Sequence, residues 1–447
     1  MVQLFKSPAK KTQKSKTLSK LVVTGIDQKG RGVARQAGKV IFIDGALPDE
    51  IVDATCIENK KNHTVARLNQ IHQVSRARTK PFCAWYDKCG GCQLQHLNRS
   101  EQLSVKKDFV NGLFNKIGIA DLPWQPPVQS SQQNYRNRAR LAAWYQGKKD
   151  RLQIGFRAAG SKKIVAINHC AVLDHPLKQK ISELTECLNK LSCKKDIFHV
   201  ELHHATTTAF IILRLAKQPN LNDLGYLAQF SKTYNVEFVA QLDNHQVYPL
   251  TDPSLDLSKT SYQLDGLTLR LPLTAFTQIN SQVNQQMVAL AINWLSLTAA
   301  DSVLDLFCGS GNFSLPIAQY VAKVTGYEGV ASAVESARQS AKLNQLTNVE
   351  FAQLDLADKT SLQQINYNGV NKIILDPSRE GAASLCAESA QWSASHVLYI
   401  ACDANSLVRD SQFLQQNGYQ IDKIALLDMF PHTAHVETMA LFRKTSR

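Results

Sequence analysis

The stretch Val303-Leu-Asp-Leu-Phe-Cys-Gly-Ser-Gly-Asn312 reads as a strand running into a glycine turn of the kind that cradles a nucleotide-like cofactor. Around it, from about Ala275 onward, strand-like and helix-like patterns alternate, the mark of a parallel sheet covered on both faces. The strand cores are expected at Ser302 to Phe307, Lys323 to Glu328, Val349 to Gln353, Lys372 to Asp376, Val397 to Ala401, Gln420 to Leu427 and His435 to Phe442. Ligands of such sheets lie at the carboxyl ends of the strands. Acids fall there: Asp305 inside the first, Glu328 ending the second, Asp355 just after the third and Asp376 ending the fourth. Glu328 follows Asp305 by 23 residues, near the spacing at which an acid meets ribose hydroxyls. The turn is not Gly-x-Gly-x-x-Gly and no Walker lysine follows, which disfavours a dinucleotide or a triphosphate. S-adenosylmethionine, which carries no phosphate, suits it. Further on, the apolar run Leu398-Tyr-Ile-Ala-Cys402 delivers a thiol into a polar loop 35 residues before Glu437. A nucleophile and a later carboxylate suggest covalent catalysis.

At 447 residues the chain has room for about three domains. Its formal charge is +14, unevenly placed: residues 276–447 hold 11 Lys+Arg against 15 Asp+Glu, leaving a net +18 on residues 1–275. A basic front joined to an acidic back points to a polyanion-binding region attached to a cofactor-using one. No apolar run approaches the roughly 18 residues of a spanning helix, and the lysine-bearing N-terminus lacks the apolar core of a signal peptide. A cytoplasmic protein without membrane attachment is expected.

Ten cysteines in such a chain are expected to be free, metal-bound or catalytic rather than paired. Cys83, Cys89 and Cys92 form Cys-x5-Cys-x2-Cys, with Gly90 and Gly91 letting the backbone turn around something held by the sulfurs. Cys170, in Ile167-Asn-His-Cys-Ala171, is the best fourth ligand. By spacing alone, zinc and an iron–sulfur cluster remain equal choices. Cys56, Cys187, Cys193 and Cys386 read as small buried hydrophobes.

Residues 1–20 carry six lysines and no acid, with no apolar periodicity, and read as a disordered basic tail. Residues 21–75 change to short alternating apolar runs punctuated by glycine, the signature of a small β-barrel. Gly-Arg-Gly-Val-Ala34 followed by Gly38-Lys-Val-Ile-Phe-Ile-Asp-Gly-Ala-Leu-Pro48 resembles the TRAM domain, an OB-like barrel found on RNA-modifying enzymes. Gln93 to Lys116 looks helical, with Gly118 near its stop, and is expected to pack on the C-terminal domain. From Pro127 to about Thr274 β-rich stretches alternate with basic ones, notably Tyr135-Arg-Asn-Arg-Ala-Arg-Leu141 and Gly155-Phe-Arg-Ala-Ala-Gly-Ser-Lys-Lys163. Arginines interleaved with aromatics can contact phosphates and stack on unpaired bases.

Phe276-Thr-Gln-Ile-Asn280, Asp305-Leu-Phe-Cys-Gly-Ser-Gly-Asn-Phe313, Leu375-Asp-Pro-Ser-Arg379, Cys402 and Phe430-Pro-His-Thr-Ala-His-Val-Glu437 occur in an order that resembles the RNA uracil-5-methyltransferases. Together with the barrel and the cysteine motif, the resemblance is to the branch that modifies uracil 1939 of 23S rRNA. It implies three parts: the TRAM barrel (21–75), a central α+β domain (76–92 and 127–274) and a Rossmann-like class I methyltransferase domain (93–126 and 275–447). It implies a [4Fe-4S] cluster on Cys83, Cys89, Cys92 and Cys170. It implies S-adenosylmethionine at Gln278, Phe307, Asn312, Glu328, Asp355 and Asp376, and an RNA-contacting Arg140. Cys402 would be the nucleophile and Glu437 the base. The expected partner is 23S rRNA, with no obligate protein partner and a monomeric chain.

The chemistry explains the pair. C5 of uracil is too poor a nucleophile to take a methyl group unaided, so a thiolate adds to C6 and makes C5 enolate-like, and a carboxylate later removes the C5 proton. A stacked base exposes neither ring face, so the uridine must be flipped or presented by an unpaired loop. The sequence departs from the family at Ala401-Cys-Asp-Ala404, where Ser-Cys-Asn-Pro is usual. Loss of the proline frees the loop, and an aspartate beside the thiol would oppose the thiolate.

Overall fold

Leu21, Val23, Ile41, Ile43, Val52, Ala54 and Ala66 are buried while their neighbours along the chain face outward, and this alternation closes the first strands into a barrel. The computed structural model describes residues 16–205, 208–242 and 247–445. They form two compact units: residues through Pro81 together with Gln93–Val105, and Phe82–Cys92 together with Lys106 onward. The barrel strands are β1 (Thr17–Ile26), β2 (Gly32–Gln36), β3 (Lys39–Asp44), β4 (Ile51–Asn59) and β5 (His63–Gln73), closed in the order β1-β2-β3-β5-β4. This five-stranded closure fits an OB-like domain. Gly32 is required: a Cβ there would stand 2.8 Å from the Ala46 carbonyl oxygen. The expected tail overlaps the barrel, because β1 starts at Thr17 and the Lys20 amide donates to Asp53 Oδ1 at 2.8 Å. The rest of that tail, residues 1–15, lies outside the described residues.

Helix α1 (Arg99–Asn115) starts later than its apolar pattern suggests. Asn98 is the reason: its side-chain oxygen accepts from the Glu101 amide at 2.9 Å and caps the helix there. Within the second unit, Val110 and Phe114 are fully buried among Leu304, Leu306 and Leu375.

The second sheet has seven strands: β6 (Arg138–Gln146), β7 (Arg151–Arg157), β8 (Ile164–Ala166), β9 (Ile197–His204), β10 (Ala209–Leu215), β11 (Glu237–Gln241) and β12 (Val247–Pro249). Their order is β12-β11-β10-β9-β6-β7-β8. One face, carrying Leu141, Ile154, Val200, Leu202, Ile211 and Leu213, is buried with residues of α2 (Ile181–Asn189) and α3 (Leu221–Tyr234). A hairpin, β13 (Ser261–Leu264) and β14 (Leu267–Arg270), leads into α4 (Ser281–Leu295), which Asn280 caps.

The third sheet follows the alternating pattern: β15 (Ser302–Leu306), α5 (Ser314–Ala318), β16 (Lys323–Glu328), α6 (Ala331–Leu343), β17 (Val349–Gln353), α7 (Lys359–Leu362), β18 (Lys372–Leu375), α8 (Ala383–Ala387), β19 (His396–Ala401), α9 (Ala404–Gln416), β20 (Tyr419–Leu427) and β21 (Glu437–Lys444). The order is β17-β16-β15-β18-β19-β21-β20, with β21 antiparallel to both its neighbours. All seven expected strands are present. The last begins at Glu437 rather than His435, because the chain turns through Pro431–Ala434, with His432 at φ +64.

Candidate active site

Five parallel strands end on one rim, and the sequence places a functional side chain at or just beyond each end. After β15 the chain turns sharply through Phe307 (φ +67), Gly309 (φ +54) and Gly311 (φ +89). A Cβ on Gly311 would stand 2.8 Å from Leu315, so the turn hugs the start of α5. Glu328 reaches back across this turn, its carboxylate accepting from the Gly309 amide at 3.1 Å and the Val330 amide at 2.9 Å. Asn312 is locked by a reciprocal amide pair with Asn284 (2.9 and 3.0 Å) and also accepts from the Tyr262 hydroxyl at 3.0 Å. The Gln278 carbonyl accepts from Asn137 Nδ2 at 3.1 Å. Gln278, Asn284 and Tyr262 share the wall of a cavity of about 260 Å³. Asp355 is exposed beyond β17, holding the Ala357 amide at 2.9 Å.

The acids on this rim crowd one another. Burial pushes Asp305 up to about 7 despite its bond from the Ser314 hydroxyl, and Glu328 adds to the shift. Asp376 is also pushed up to about 7, first by burial and then by Asp305 and Glu328.

The ladder brings Cys402 and Glu437 to the same end. Ala401 of β19 pairs with Thr438 of the antiparallel β21, so the next residue of one strand and the preceding residue of the other emerge together. Glu437 is partly open to solvent yet enclosed by protein on most sides, and burial pushes it up to about 8. Asp376 and Asp428 add to that shift; Lys106 and Arg379 oppose it. The Cys402 thiol is exposed at its tip but also raised, by burial first and then by Glu437 and Asp376, with Arg379 opposing. Asp403 does not act as its position beside the thiol suggests. Its carboxylate caps α9, accepting from the Asn405 amide at 2.8 Å and the Ser406 amide at 3.2 Å. The carboxylates that oppose the thiolate come from other strands.

Several contributors were not singled out from the sequence. Lys106 and Asp428 form a buried ion pair at 2.7 Å beneath the rim, 322 residues apart in the chain, a pairing no local pattern reveals. Arg379 lies inside a quoted motif, yet its influence on both Cys402 and Glu437 needs the fold to be seen. Arg140 belongs to a different sheet, on β6, where its Nε bonds Glu201 at 3.1 Å.

Of the four cysteines of the motif, Cys83, Cys89 and Cys170 lie near enough to influence one another. Cys89 bridges to Ala158, and the Gly90 amide donates to the Arg157 carbonyl at 2.9 Å. A Cβ on Gly90 would stand 2.9 Å from that same oxygen. The Gly91 amide points at Cys89 Sγ at 3.4 Å. Burial pushes Cys170 up to about 11, with Cys89 and Cys83 adding, while the Val172 and Leu173 amides favour its thiolate. Cys92 and Cys170 both act on Tyr135, whose hydroxyl burial raises. Among the described residues no group of three or more His, Cys, Asp or Glu is arranged to hold a metal ion.

The model of the tRNA (uracil-5-)-methyltransferase family matches residues 98–445. The chain belongs to that family. It is therefore an RNA uracil-C5 methyltransferase, built on the class I fold that the strand order shows. A 23S rRNA (uracil(1939)-C(5))-methyltransferase of Psychromonas ingrahamii is 40% identical over 99% of this chain and 100% of its own length. The protein of the same description from Pseudoalteromonas translucida is 38% identical over 99% and 100%. Among solved structures, the Pyrococcus abyssi tRNA (uracil-54, C5)-methyltransferase in complex with S-adenosyl-L-homocysteine superposes with TM-score 0.72. It covers 94% of this chain and 99% of that one at 22% identity, a likeness of fold.

Proposed function

We propose that this enzyme transfers a methyl group from S-adenosylmethionine to C5 of a uridine in 23S rRNA, at the position numbered 1939, forming 5-methyluridine. The observation that carries the mechanism is the ladder pairing of Ala401 with Thr438, which delivers Cys402 and Glu437 to one rim. The target is supported by full-length relatives of that description at 38–40% identity.

Gln278, Phe307, Asn312, Glu328, Asp355 and Asp376 would hold the methyl donor, which supplies an electrophilic methyl on a sulfonium. The crowded acids suit it, because a cation among Asp305, Glu328 and Asp376 relieves their repulsion. Cys402 gives up its proton to water and its sulfur bonds C6 of the uracil, so the C5–C6 electron pair moves toward C5 and the neighbouring carbonyl. C5 takes the methyl group as the sulfonium–methyl bond breaks, leaving the neutral thioether of the donor. Glu437, in its ionised form, accepts the C5 proton; the C6–S bond then breaks and Cys402 leaves as thiolate. Arg379, the cation that favours ionisation of both groups, steadies the thiolate and the carboxylate. Arg140 would contact RNA near the target base.

Cys83, Cys89, Cys92 and Cys170 would hold a [4Fe-4S] cluster. The mutual influence of Cys83, Cys89 and Cys170 and the backbone amides aimed at Cys89 and Cys170 fit a thiolate-bound group. The role would be structural, since Cys402 already supplies the nucleophile and the donor needs no reductive cleavage. Anaerobically purified protein should be brown with about four irons per chain; a colourless protein with one zinc contradicts this. The enzyme would act as a monomer in the cytoplasm. No helix among the described residues is long and apolar enough to cross a membrane.

The deciding experiment is to map 5-methyluridine in rRNA and tRNA from a strain lacking the protein. Loss of the modification at 23S position 1939 alone supports the reading; loss at a tRNA position instead would overturn the rRNA assignment.

A further inference from the structure

The face of the second sheet turned away from α2 and α3 is built like a nucleic-acid platform. Arg138, Arg140, Ala142 and Trp144 alternate along β6 on this face, while Leu141 is buried on the other. The ladders set Arg140 beside Glu201, Ala142 between His199 and Gly155, and Trp144 beside Gln153. Arg214 of β10 faces His199, and Arg157 lies two residues beyond Gly155 on the same side. Over β10 and β11 this face is covered, because Leu273, Leu255 and Leu257 pack on Phe210, Ile212 and Val239. Over β6 it is open, while at Gly155 of β7 the Val165 backbone of β8 stands where a side chain on this face would project. Trp144 is 50% exposed and the Arg140 side chain 54%.

The charges here are not balanced. His199 is held below its usual range by burial and then by Arg140, Arg214 and Arg157, with Glu201 alone opposing. Glu201 already serves two guanidinium groups, Arg138 at 2.5 Å and Arg140 at 3.1 Å. Guanidinium groups do not deprotonate, so the surplus positive charge stays in place and is available to an anion. Ala142, two residues before Trp144 on the same face, leaves a flat floor next to the indole. A paired duplex would satisfy the arginines but offer the ring no base face, whereas an unpaired strand satisfies both.

We propose that this open strip seats an unpaired segment of the RNA substrate, one base stacking on Trp144 while Arg140, Arg157 and Arg214 take phosphates. The proposal rests on the RNA-methyltransferase reading and names a contact outside the reaction centre. The near end of β6 adjoins the donor-binding segment, since Arg138 Nη1 donates to the Ala275 carbonyl at 2.5 Å. Trp144 lies six residues further along, about 20 Å of strand. The stacked base therefore flanks the target uridine and is not the target itself.

The test uses the full chain and two RNAs: a hairpin loop containing the target uridine with an unpaired flank, and the same loop with the flank trimmed. Trp144→Ala should weaken binding of the longer RNA roughly five- to hundred-fold and leave the trimmed RNA unaffected, and Trp144→Phe should recover most of the loss. Arg157→Gln with Arg214→Gln should lower the salt slope for the longer RNA by roughly 1.4. S-adenosylmethionine affinity reports that each variant is folded. Unchanged binding of the longer RNA by Trp144→Ala, equal losses on both RNAs, or no recovery with Trp144→Phe would overturn the platform. A parent chain that binds neither RNA would overturn the RNA reading itself.

Discussion

The rim of the third sheet and the open face of the second both crowd like charges, but they resolve the crowding in different ways. On the rim, Asp305 is buried, Asp376 and Glu437 are enclosed by protein on most sides, and all three are pushed up, to about 7, 7 and 8, so near neutral pH they relieve repulsion by holding protons. On the face, Arg140, Arg157 and Arg214 cannot shed theirs and stay near water instead. The rim should therefore answer to pH and to a cationic ligand, and the face to salt and to a polyanion.

The largest effect should come from the rim. Cys402→Ala should lower methyl transfer by roughly 10⁴-fold or more, with RNA affinity little changed, because the other thiol at this end, Cys308, is buried and its ionisation is opposed by burial and then by Asp305 and Glu328. Single-turnover assays with labelled donor would show it. Residual transfer at a tenth of the parent rate would break the assignment of the rim as the reaction centre.

A smaller effect sharpens the contrast. Below about pH 7 Asp305 and Asp376 hold protons, and a sulfonium favours their ionised forms, so donor binding should release protons. S-adenosylmethionine should bind on the order of ten-fold tighter at pH 8 than at pH 6. The neutral-sulfur product should gain less. Titration calorimetry in buffers of different ionisation enthalpy reads the proton release directly; proton uptake would contradict it. RNA affinity should instead fall steeply with salt, as counterion release requires, while donor affinity stays nearly level.

The same shifts bear on stability. Acids whose folded pKa lies above the unfolded value leave the folded chain holding more protons between about pH 4 and 8. Stability contributed by these groups is thus greatest at the acid end of that window and declines as pH rises through it. The thermal midpoint should fall by a few degrees from about pH 5.5 to 8.5, and by less in Glu437→Gln. A midpoint that climbs over this range, or a Glu437→Gln profile identical to the parent, would count against the burial described. The smallest change is Gly311→Ala, where φ +89 and the 2.8 Å approach to Leu315 leave no room for a methyl. It should weaken the donor by about 1–2 kcal/mol and spare RNA binding.

The rim was legible in the sequence because several of its groups lie at the end of an apolar run, and strand ends are linear features. Glu328, Asp376 and Cys402 stand where those runs stop. What the runs could not show is pairing. Lys106 and Asp428 meet across 322 residues, and Asp403 is drawn to the N-terminus of α9 although it stands next to the thiol. The start of α1 was missed because Asn98, not the apolar period, sets it. The face of the second sheet was legible only as interleaved arginines and aromatics. Which of them share a side depends on the register of β6 with β7 and β9, and a slip of one residue would turn Trp144 into the core.

The central claim is that Cys402 and Glu437, joined by one strand pairing, act in succession on the same uracil. Glu437→Gln keeps the size and polarity of the base but cannot accept the C5 proton. Incubated with ordinary uridine RNA and methyl-labelled donor, it should accumulate a labelled protein–RNA adduct that survives denaturation, and the double variant with Cys402→Ala should form none. Normal turnover by Glu437→Gln with no adduct would contradict the account.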